Sequence, residues 1–365
     1  MSRPVRVVVV DDSAVVRRLV ADVLGADPEV EVVGVAANGR IALALVEQLR
    51  PDLVSLDLEM PEVDGLQTLE ALSARHPEVR VVMLSALTAR GAVATLDALA
   101  RGAADYVTKP ARSVSLEASL AHLRAELLPR VKQLGRRPGA PAPLAPPAPL
   151  APPTPAEAAA SAVRPWRGSR RPLDAVVLGC STGGPNALSE VIPRLPGTFP
   201  VPLLVVQHMP PVFTGHLARR LAGRAALPVR EGEGGAAVRP GEVWIAPGGL
   251  HMAVVGAPPR VELELHEGPP VRSCRPAVDV LFSAAAEVWG AGVLAVVLTG
   301  MGEDGLDGCR AICAAGGRVI VQDEASSVVW GMPGAVAKAG LADRVVPLER
   351  VAAAILEQLG LAAPE

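Results

Sequence analysis

Short apolar runs alternate with amphipathic stretches over residues 5–130 of the chain. The apolar runs are rich in Val and Leu, as strands buried on both faces usually are. Between them, stretches such as residues 13–24 repeat apolar residues at helical spacing. Strands that alternate with helices form a parallel sheet covered on both faces, so the pattern predicts a doubly wound α/β domain over residues 1–131. The runs that we expect to form its strands are residues 5–10, 30–35, 53–56, 79–84 and 105–107.

The same alternation returns after Leu173 and continues toward residue 365. Strands are expected within DAVVLGC, PLLVVQHM, GVLAVVLTGM and RVIVQD, with helices that begin near Pro185 and Gly305. The section between the second and third of these strands is less regular, and its segments GEVWIAP and RVELELHE predict a hairpin. The pattern therefore indicates a second α/β domain over residues 173–365. Its ligands are expected beyond the carboxyl ends of the strands.

Residues 132–172 show neither the strand pattern nor the helical spacing, and they are rich in Pro and Ala. Proline prevents regular helix and favours extended polyproline II structure. With 365 residues, the chain is also too long for one ordinary hydrophobic core. We therefore expect two doubly wound parallel-sheet domains joined by a Pro/Ala-rich linker.

The charge distribution argues against a nucleic-acid partner. Residues 1–131 carry 14 basic and 18 acidic side chains, residues 173–365 carry 14 and 19, and only the linker has a basic excess. Nucleic-acid affinity depends on neutralising phosphates, which neither predicted domain is equipped to do. No run reaches the roughly 18 apolar residues that span a bilayer. We expect a cytoplasmic protein without membrane insertion, and we take a monomer as the default state.

The four cysteines, at positions 180, 274, 309 and 313, form no C-x-x-C pair. Cys309 and Cys313 lie four residues apart on a predicted helix and share one face. That spacing favours buried core residues over a zinc site. We therefore expect no cofactor in the second domain.

Charged and polar residues end the predicted strands of the first domain. Asp11 and Asp12 follow the first strand, Asp57 the third, Ser85 the fourth and Lys109 the fifth. Clustered carboxylates repel one another unless a divalent cation lies among them, and hard oxygen ligands suit Mg²⁺. An Asp57 carboxylate in this setting can attack a phosphoryl donor. Helix capping or turn formation explains any one of these residues, but not the whole set.

The segments VVDDSAVVRRL, LDLEMPEVDG and DYVTKP, together with Ser85-Ala86, resemble the receiver domain of response regulators over residues 4–128. The resemblance implies a flavodoxin-like fold in which Asp57 is the phosphorylated residue. It also implies a magnesium site in which Asp11 acts through water and Glu59 through its backbone carbonyl. The magnesium ligands so implied are Asp11, Asp12, Asp57 and Glu59, and the residues that meet or report the phosphoryl group are Ser85, Tyr106 and Lys109.

The second domain contains the pieces of a serine hydrolase. Gly179-Cys180-Ser181-Thr182-Gly183 matches G-x-S-x-G between a predicted strand and a predicted helix. Its Ser181 needs a base, for which His208 at a strand end is favoured over the loop residue His251. Asp304 can orient the imidazole, although spacing alone does not rank it against Glu303 and Asp307. The neighbouring Cys180 leaves a thiol nucleophile open as an alternative.

Six segments of the second half resemble the catalytic domain of chemotaxis protein-glutamate methylesterases over residues 173–358. The resemblance implies a Rossmann-like fold with Ser181 as nucleophile, His208 as base and Asp304 as orienting carboxylate. Backbone N–H groups near Thr182 and Met301 are implied as oxyanion donors. The segments are GCSTGGPNAL, VVQHMPPVFT, VWIAPGGLHM, SCRPAVDVLF, LTGMGEDG and DEASSVVWGMPGAV.

Together the two resemblances imply a phosphorylation-activated hydrolase. It would remove methyl groups from γ-glutamyl methyl esters on chemoreceptor cytoplasmic helices, release methanol, and deamidate receptor glutamines. The implied partners are methyl-accepting chemotaxis receptors as substrates and a chemotaxis histidine kinase as phosphodonor. Two other hypotheses stay open: a phosphoryl-binding protein whose hydrolase site is idle, and a related esterase that acts outside chemotaxis.

Overall fold

The computed structural model describes residues 3–61, 63–110, 115–136 and 171–362. The chain divides into two compact units, Met1–Ala148 and Pro149–Glu365. Most of the predicted linker, residues 137–170, lies outside the described residues. Each unit is built around its own parallel sheet.

The first unit contains a five-stranded sheet flanked by helices. Its strands follow the order β2-β1-β3-β4-β5, and every neighbouring pair is parallel, which is the flavodoxin-like arrangement. The predicted strands are confirmed, with ends that differ by one residue at most positions. The elements are β1 (Val5–Val10), α1 (Ala14–Gly25), β2 (Val30–Ala36), α2 (Gly39–Leu49), β3 (Leu53–Asp57), α3 (Gly65–Arg75), β4 (Arg80–Ser85), α4 (Ala89–Ala100), β5 (Asp105–Thr108) and α5 (Leu116–Leu134).

Short polar residues start the helices of this unit. The side chain of each N-cap residue accepts a hydrogen bond from a backbone N–H in the first helical turn, which is otherwise unpaired. The α3 cap is reciprocal, because the Gln67 side chain also accepts the Asp64 N–H at 3.2 Å. The N-cap residues are Ser13, Asn38, Asp64, Thr88 and Ser115.

The second unit contains a seven-stranded sheet in the order β14-β13-β12-β6-β7-β9-β8, and all its pairs are parallel. A separate two-stranded hairpin lies outside this sheet. The elements are β6 (Ala175–Cys180), α6 (Gly184–Val191), β7 (Leu203–Gln207), α7 (Phe213–Ala222), β8 (Val229–Glu231), β9 (Val243–Ile245), β10 (His251–Ala257), β11 (Arg260–His266), α8 (Val278–Trp289), β12 (Val293–Val297), α9 (Leu306–Ala314), β13 (Arg318–Gln322), α10 (Met332–Lys338), β14 (Arg344–Val346) and α11 (Leu348–Gln358).

The hairpin predicted between GEVWIAP and RVELELHE is wrong. β9, which lies in the first segment, pairs in parallel with β7 and β8, whereas β11 pairs antiparallel with β10. All three residues of β9 are buried, as in an interior parallel strand. The first five residues of β11 alternate between exposed and buried, as in a strand with one solvated face. The β10 segment, HMAVVGA, was not predicted as a strand.

The order of the second sheet brings three loops together. β6 lies between β7 and β12, so the chain leaves β6 toward one neighbour and later returns on its other side. Loops that follow adjacent parallel strands at such a switch point form a crevice where ligands bind. Helix α8 packs beneath this region through the fully buried residues Leu281 and Phe282. Among the described residues, no helix is long and apolar enough to cross a membrane.

Candidate active site and phosphorylation site

Ser181 follows the last residue of β6 in a tight turn. Its backbone N–H donates to the Thr299 carbonyl at 3.0 Å, and its carbonyl accepts the Gly184 N–H at 2.8 Å. Gly183 has a φ of 80°, a left-handed conformation that glycine adopts without steric cost. The turn holds Ser181 just beyond the carboxyl end of β6, with 8% of the residue's surface exposed.

The buried side chain of Gln207 ties this turn to the end of β7. Its Nε2 donates to the Ser181 carbonyl at 3.0 Å and to the His208 carbonyl at 3.1 Å. A Cβ added at Gly184 would lie 1.9 Å from Gln207 Oε1, so only glycine fits there. Sequence analysis missed Gln207. The available signal was a polar residue at the end of an apolar run, beside the candidate base.

Cys180 points into the interior, away from the crevice. Its side chain is fully buried, and its thiol donates to Gln207 Oε1 at 3.1 Å. Burial raises the pKa of the Cys180 thiol strongly, because the charged thiolate is poorly solvated there. A buried neutral thiol is a poor nucleophile, so the geometry favours Ser181 over Cys180.

His208 and Asp304 form a close pair behind Ser181. His208 Nε2 lies 2.7 Å from Asp304 Oδ2, and that oxygen also accepts the Val278 N–H at 2.6 Å. The other carboxylate oxygen accepts N–H groups of Asp279 and Gly305, each at 2.9 Å. These contacts occupy both oxygens and fix the carboxylate against the imidazole.

The pair favours an ionised carboxylate and a protonated imidazole. Burial on its own raises the pKa of Asp304, but the hydrogen bond and charge of His208 outweigh it and lower that pKa. Burial on its own lowers the pKa of His208, but hydrogen bonds to Asp304 and Cys274 outweigh it and raise that pKa to about 10. The carboxylate of Asp304 therefore stabilises the protonated form of His208.

His251, the rival base, is engaged elsewhere. Its Nδ1 accepts the Ala277 N–H at 3.2 Å, so its Nε2 carries the proton and donates to the Pro269 carbonyl at 3.1 Å. Burial lowers the pKa of His251. The side chain contacts backbone groups at both nitrogens and is suited to holding the start of α8.

The rival carboxylates Glu303 and Asp307 bind Arg272 instead of an imidazole. The Arg272 guanidinium reaches Glu303 at 3.3 Å and Asp307 at 2.7 Å. Both carboxylates are exposed, whereas Asp304 is 2% exposed. Only Asp304 among the three lies against His208, so the geometry favours Asp304 over Glu303 and Asp307 as its partner.

The structure does not bring Ser181 and His208 into direct hydrogen bonding. Within the described residues, no bond joins the Ser181 hydroxyl to the imidazole. The nitrogen that Asp304 leaves available, Nδ1, lies 3.6 Å from Cys274 Sγ. Sequence analysis did not place Cys274 in this site. No local signal points to it, because 66 residues separate Cys274 from His208.

The two predicted oxyanion donors lie in backbone that packs on Ser181. The Thr182 carbonyl accepts the Thr299 hydroxyl at 2.9 Å, which holds the peptide between Thr182 and Gly183. Gly300, next to Met301, is so close that an added Cβ would lie 2.9 Å from Ser181 Cβ. In the described part of the chain, the Met301 N–H makes no hydrogen bond. That N–H is thus available for an oxyanion.

The carboxyl edge of the first sheet gathers the predicted phosphorylation residues. Lys109 Nζ lies 2.8 Å from Asp11 Oδ2 and 2.8 Å from Asp57 Oδ1. Asp57 and Lys109 border a cleft of about 640 Å³ that Asp12 and Glu59 also line. The Glu59 N–H donates to Asp57 Oδ1 at 3.3 Å. This edge therefore holds two buried carboxylates against one ammonium group.

The charge balance of the cleft suits a divalent cation. Burial raises the pKa of Asp57 to about 6, although the Lys109 hydrogen bond and charge act in the opposite direction. Asp57 Oδ2 is buried and makes no hydrogen bond to any described residue. Oxygen atoms of Asp11, Asp12 and Asp57 lie within 4.8 Å of one another, the donor set that Mg²⁺ prefers.

Two predicted switch residues face inward. The Ser85 hydroxyl lies 3.3 Å from the carbonyls of Ala86 and Gly91, so it points toward α4. Tyr106 is 7% exposed, and burial raises the pKa of its phenol well above the usual range. Among the described residues, the hydrogen bonds of the Ser85 hydroxyl go to these carbonyls and not to Asp57.

Comparisons with known proteins match both halves. Residues 176–355 match the family model for CheB methylesterase, and residues 7–121 match that for the response regulator receiver domain. A protein-glutamate methylesterase/protein-glutamine glutaminase from Nocardioides sp. is 50% identical over 99% of this chain and 97% of its own. One from Trichodesmium erythraeum is 45% identical over 97% of this chain and 99% of its own. The crystal structure of the Thermotoga maritima CheB methylesterase catalytic domain is 43% identical, with a TM-score of 0.50, over 51% of this chain and 99% of that domain.

Proposed function

The chain belongs to the CheB methylesterase family and carries a response regulator receiver domain, and from this premise we propose how its residues perform and regulate ester hydrolysis. The enzyme removes methyl groups from protein glutamate methyl esters and converts protein glutamines to glutamates, as the names of its relatives state. The domains we assign are a receiver over residues 1–131 and a catalytic domain over residues 173–365. Residues 132–172 serve as the linker.

Ser181 is the proposed nucleophile. Asp304 holds Nε2 of His208, so Nδ1 is the nitrogen that takes the Ser181 proton as the hydroxyl oxygen attacks the ester carbonyl. The Met301 N–H, together with a backbone N–H near Thr182, supports the oxyanion that forms. His208 then returns the proton to the departing methoxide, which leaves as methanol. A water molecule, deprotonated by His208, hydrolyses the acyl-enzyme and restores Ser181.

Asp57 is the proposed phosphorylation site. Its carboxylate attacks the phosphoryl donor while the Lys109 ammonium offsets charge on the transferred oxygens. The residues that would hold Mg²⁺ are Asp11, Asp12, Asp57 and the Glu59 carbonyl. The cation supplies charge neutralisation for phosphoryl transfer when it is bound. Ser85 and Tyr106, both buried here, are the side chains proposed to move in response.

The proposed substrates are methyl-accepting chemotaxis receptors, and the proposed phosphodonor is a chemotaxis histidine kinase. Since the methylated glutamates of such receptors lie on cytoplasmic helices, we place the enzyme in the cytoplasm. We also take it to be a monomer. A tenfold activation by phosphorylation needs a differential stabilisation of about 1.4 kcal/mol between inactive and active states. A few additional contacts in the active state are enough to supply this free-energy difference.

The observation that supports esterase chemistry most directly is the Asp304–His208 pair at the edge that carries Ser181. The test is methanol release from methylated receptor membranes, with acetyl phosphate and Mg²⁺ present. Ser181→Ala should lower the rate by at least about a thousandfold, because the nucleophile is lost. Release from the S181A protein at the parental rate would refute the assignment.

Ser189→Ala is the matched control. It removes a buried hydroxyl on α6, the helix that follows the Ser181 turn, where the Ser189 hydroxyl donates to the Pro185 carbonyl at 2.8 Å. We expect methanol release close to that of the parent protein. If the parent protein itself releases no methanol, the substrate is a different ester or amide.

A further inference from the structure

Cys274 gives the catalytic imidazole a second nucleophile. Asp304 holds one nitrogen of His208 at 2.7 Å, and Cys274 Sγ lies 3.6 Å from the other. Carboxylate, imidazole and thiol thus follow one another in the order found in cysteine hydrolases. In the described structure, Ser181 makes no hydrogen bond to this imidazole. The resting arrangement therefore pairs the base with sulfur.

The loop that carries Cys274 holds the thiol in place. Cys274 N donates to the Val271 carbonyl at 2.8 Å, and Val271 N donates to the Cys274 carbonyl at 3.1 Å, which closes a tight turn. Arg272 and Ser273, inside the turn, have φ values of 48° and 65°. Arg272 also anchors the turn by binding Asp279 at 3.1 Å, on the helix whose first N–H groups hold Asp304. Backbone hydrogen bonds and the Arg272–Asp279 ion pair thus hold the Cys274 thiol next to His208.

The other three cysteines lack these conditions. Cys180 and Cys309 are buried, and burial raises the pKa of both thiols. Cys313 is half-buried like Cys274, but its thiol donates to the Leu341 carbonyl at 3.6 Å, and burial raises its pKa to about 11. In the part of the chain that the structure describes, none of these three thiols has a hydrogen bond to an imidazole. Among the described cysteines, only Cys274 combines partial exposure with an acid–base partner.

His208 also supplies an acid–base partner for the thiol. Burial on its own lowers the pKa of His208, but hydrogen bonds to Asp304 and Cys274 outweigh it and raise that pKa to about 10. The imidazole beside the sulfur can therefore hold the proton that the thiol gives up as the sulfur attacks an electrophile.

We propose that Cys274 is a modification site for soft carbon electrophiles, and that an adduct there takes the imidazole away from Ser181 and stops ester hydrolysis. This inference rests on the proposed esterase function. With an α-haloamide, the thiol proton is held by His208 and the sulfur attacks the halogen-bearing carbon. A carbon–sulfur bond forms, the carbon–halogen bond breaks, and halide leaves with the electron pair. The attached group then fills the space between His208 Nδ1 and Ser181.

The test treats the full-length protein with limiting iodoacetamide, removes the reagent, and measures two quantities on the same sample. Peptide mass spectrometry gives the labelled fraction of each cysteine, and methanol release gives the remaining esterase activity. We expect Cys274 to react at least about tenfold faster than Cys313. Methanol release should fall in proportion to Cys274 labelling.

Four variants separate the steps. His208→Gln should slow labelling of Cys274 by at least about tenfold, because the acid–base partner is gone. Cys274→Ser and Cys274→Ala should each keep their own untreated rate of methanol release after exposure to the reagent. Cys313→Ser is the matched control, and it should label at Cys274 and lose activity as the parent does.

Equal labelling of Cys274 and Cys313 would overturn the proposal, as would full labelling of Cys274 with unchanged methanol release. An unchanged labelling rate in His208→Gln would overturn the role given to the imidazole. Because labelling is read by mass, it does not depend on esterase activity. A protein that labels at Cys274 but never releases methanol would contradict the proposed function and leave the reactive thiol established.

Discussion

The His208 imidazole has two ring nitrogens, but three side chains interact with it in the proposed mechanism. Asp304 occupies Nε2, so Ser181 and Cys274 must share access to Nδ1. The carboxylate orients the ring, which benefits catalysis, but it also stabilises the protonated form, which cannot act as a base. Removing the competing thiol should therefore change the pH at which the site becomes active. The Asp279 carboxylate does not compete for the imidazole, because it is paired with Arg272 at 3.1 Å.

The first residue-scale prediction concerns the pH dependence of kcat/KM. The base works only when neutral, so a His208 pKa raised to about 10 places the rise of activity at alkaline pH. Cys274→Ala removes a hydrogen bond and a charge that raise this pKa, while Asp304 stays. The rise should move to lower pH by about one unit, equivalent to about 1.4 kcal/mol. pH–rate profiles of methanol release measure the shift.

Cys313→Ala is the control for that shift, because its thiol lies away from the imidazole and bonds to a backbone carbonyl. Its profile should overlay that of the parent protein. Identical profiles for Cys274→Ala and the parent would show that the thiol has no influence on the protonation of His208.

At the scale of elements, the site depends on how closely the loop after β12 packs on the turn after β6. A Cβ at Gly300 would lie 2.3 Å from Met332 Sδ and 2.9 Å from Ser181 Cβ, closer than real Cβ contacts. Gly300 thus allows the loop that carries Met301 to approach the nucleophile. The contact links β6, β12 and α10 around Ser181.

Gly300→Ala should lower kcat for methanol release by about a hundredfold, because a displacement near 1 Å of the nucleophile costs about that much. Overpacking should also reduce the free energy of unfolding by about 1–3 kcal/mol. Steady-state kinetics and urea unfolding measure the two effects. Gly234→Ala is the control, since nothing lies within 4 Å of its added Cβ. A Gly300→Ala enzyme with parental kcat would contradict this role for the close contact.

Most strands of both sheets were predictable because each is an apolar run buried on both faces. Ser181, His208 and Asp304 could be proposed for the same reason, since each follows such a strand in a parallel sheet. The short, partly exposed strands β8 and β14 were not predicted. The partner of β11 was not predictable, because β9 is short and its three apolar residues fit either sheet. Cys274 was not predictable because it meets His208 only through the fold of a distant loop.

At the scale of the whole molecule, two separately built sheets divide the chemistry. The carboxylate cleft around Asp57 belongs entirely to the first unit, and Ser181, His208 and Asp304 belong entirely to the second. Loss of Asp57, the proposed phosphorylation site, should therefore leave the proposed catalytic side chains unchanged. Stimulation by a phosphodonor and basal hydrolysis should be separable by substitution.

Asp57→Ala tests this separation. The variant lacks the attacking carboxylate, so acetyl phosphate with Mg²⁺ should no longer stimulate methanol release. Its rate without donor should stay within about twofold of the unstimulated parent, because Asp57 belongs to a different core from Ser181, His208 and Asp304. Asp22→Ala is the control: this exposed carboxylate makes only a 3.7 Å ion pair with Arg18 and should leave stimulation intact. Stimulation that survives in Asp57→Ala would place the regulatory phosphoryl group on another residue, while loss of the basal rate as well would show that Asp57 supports the catalytic unit directly.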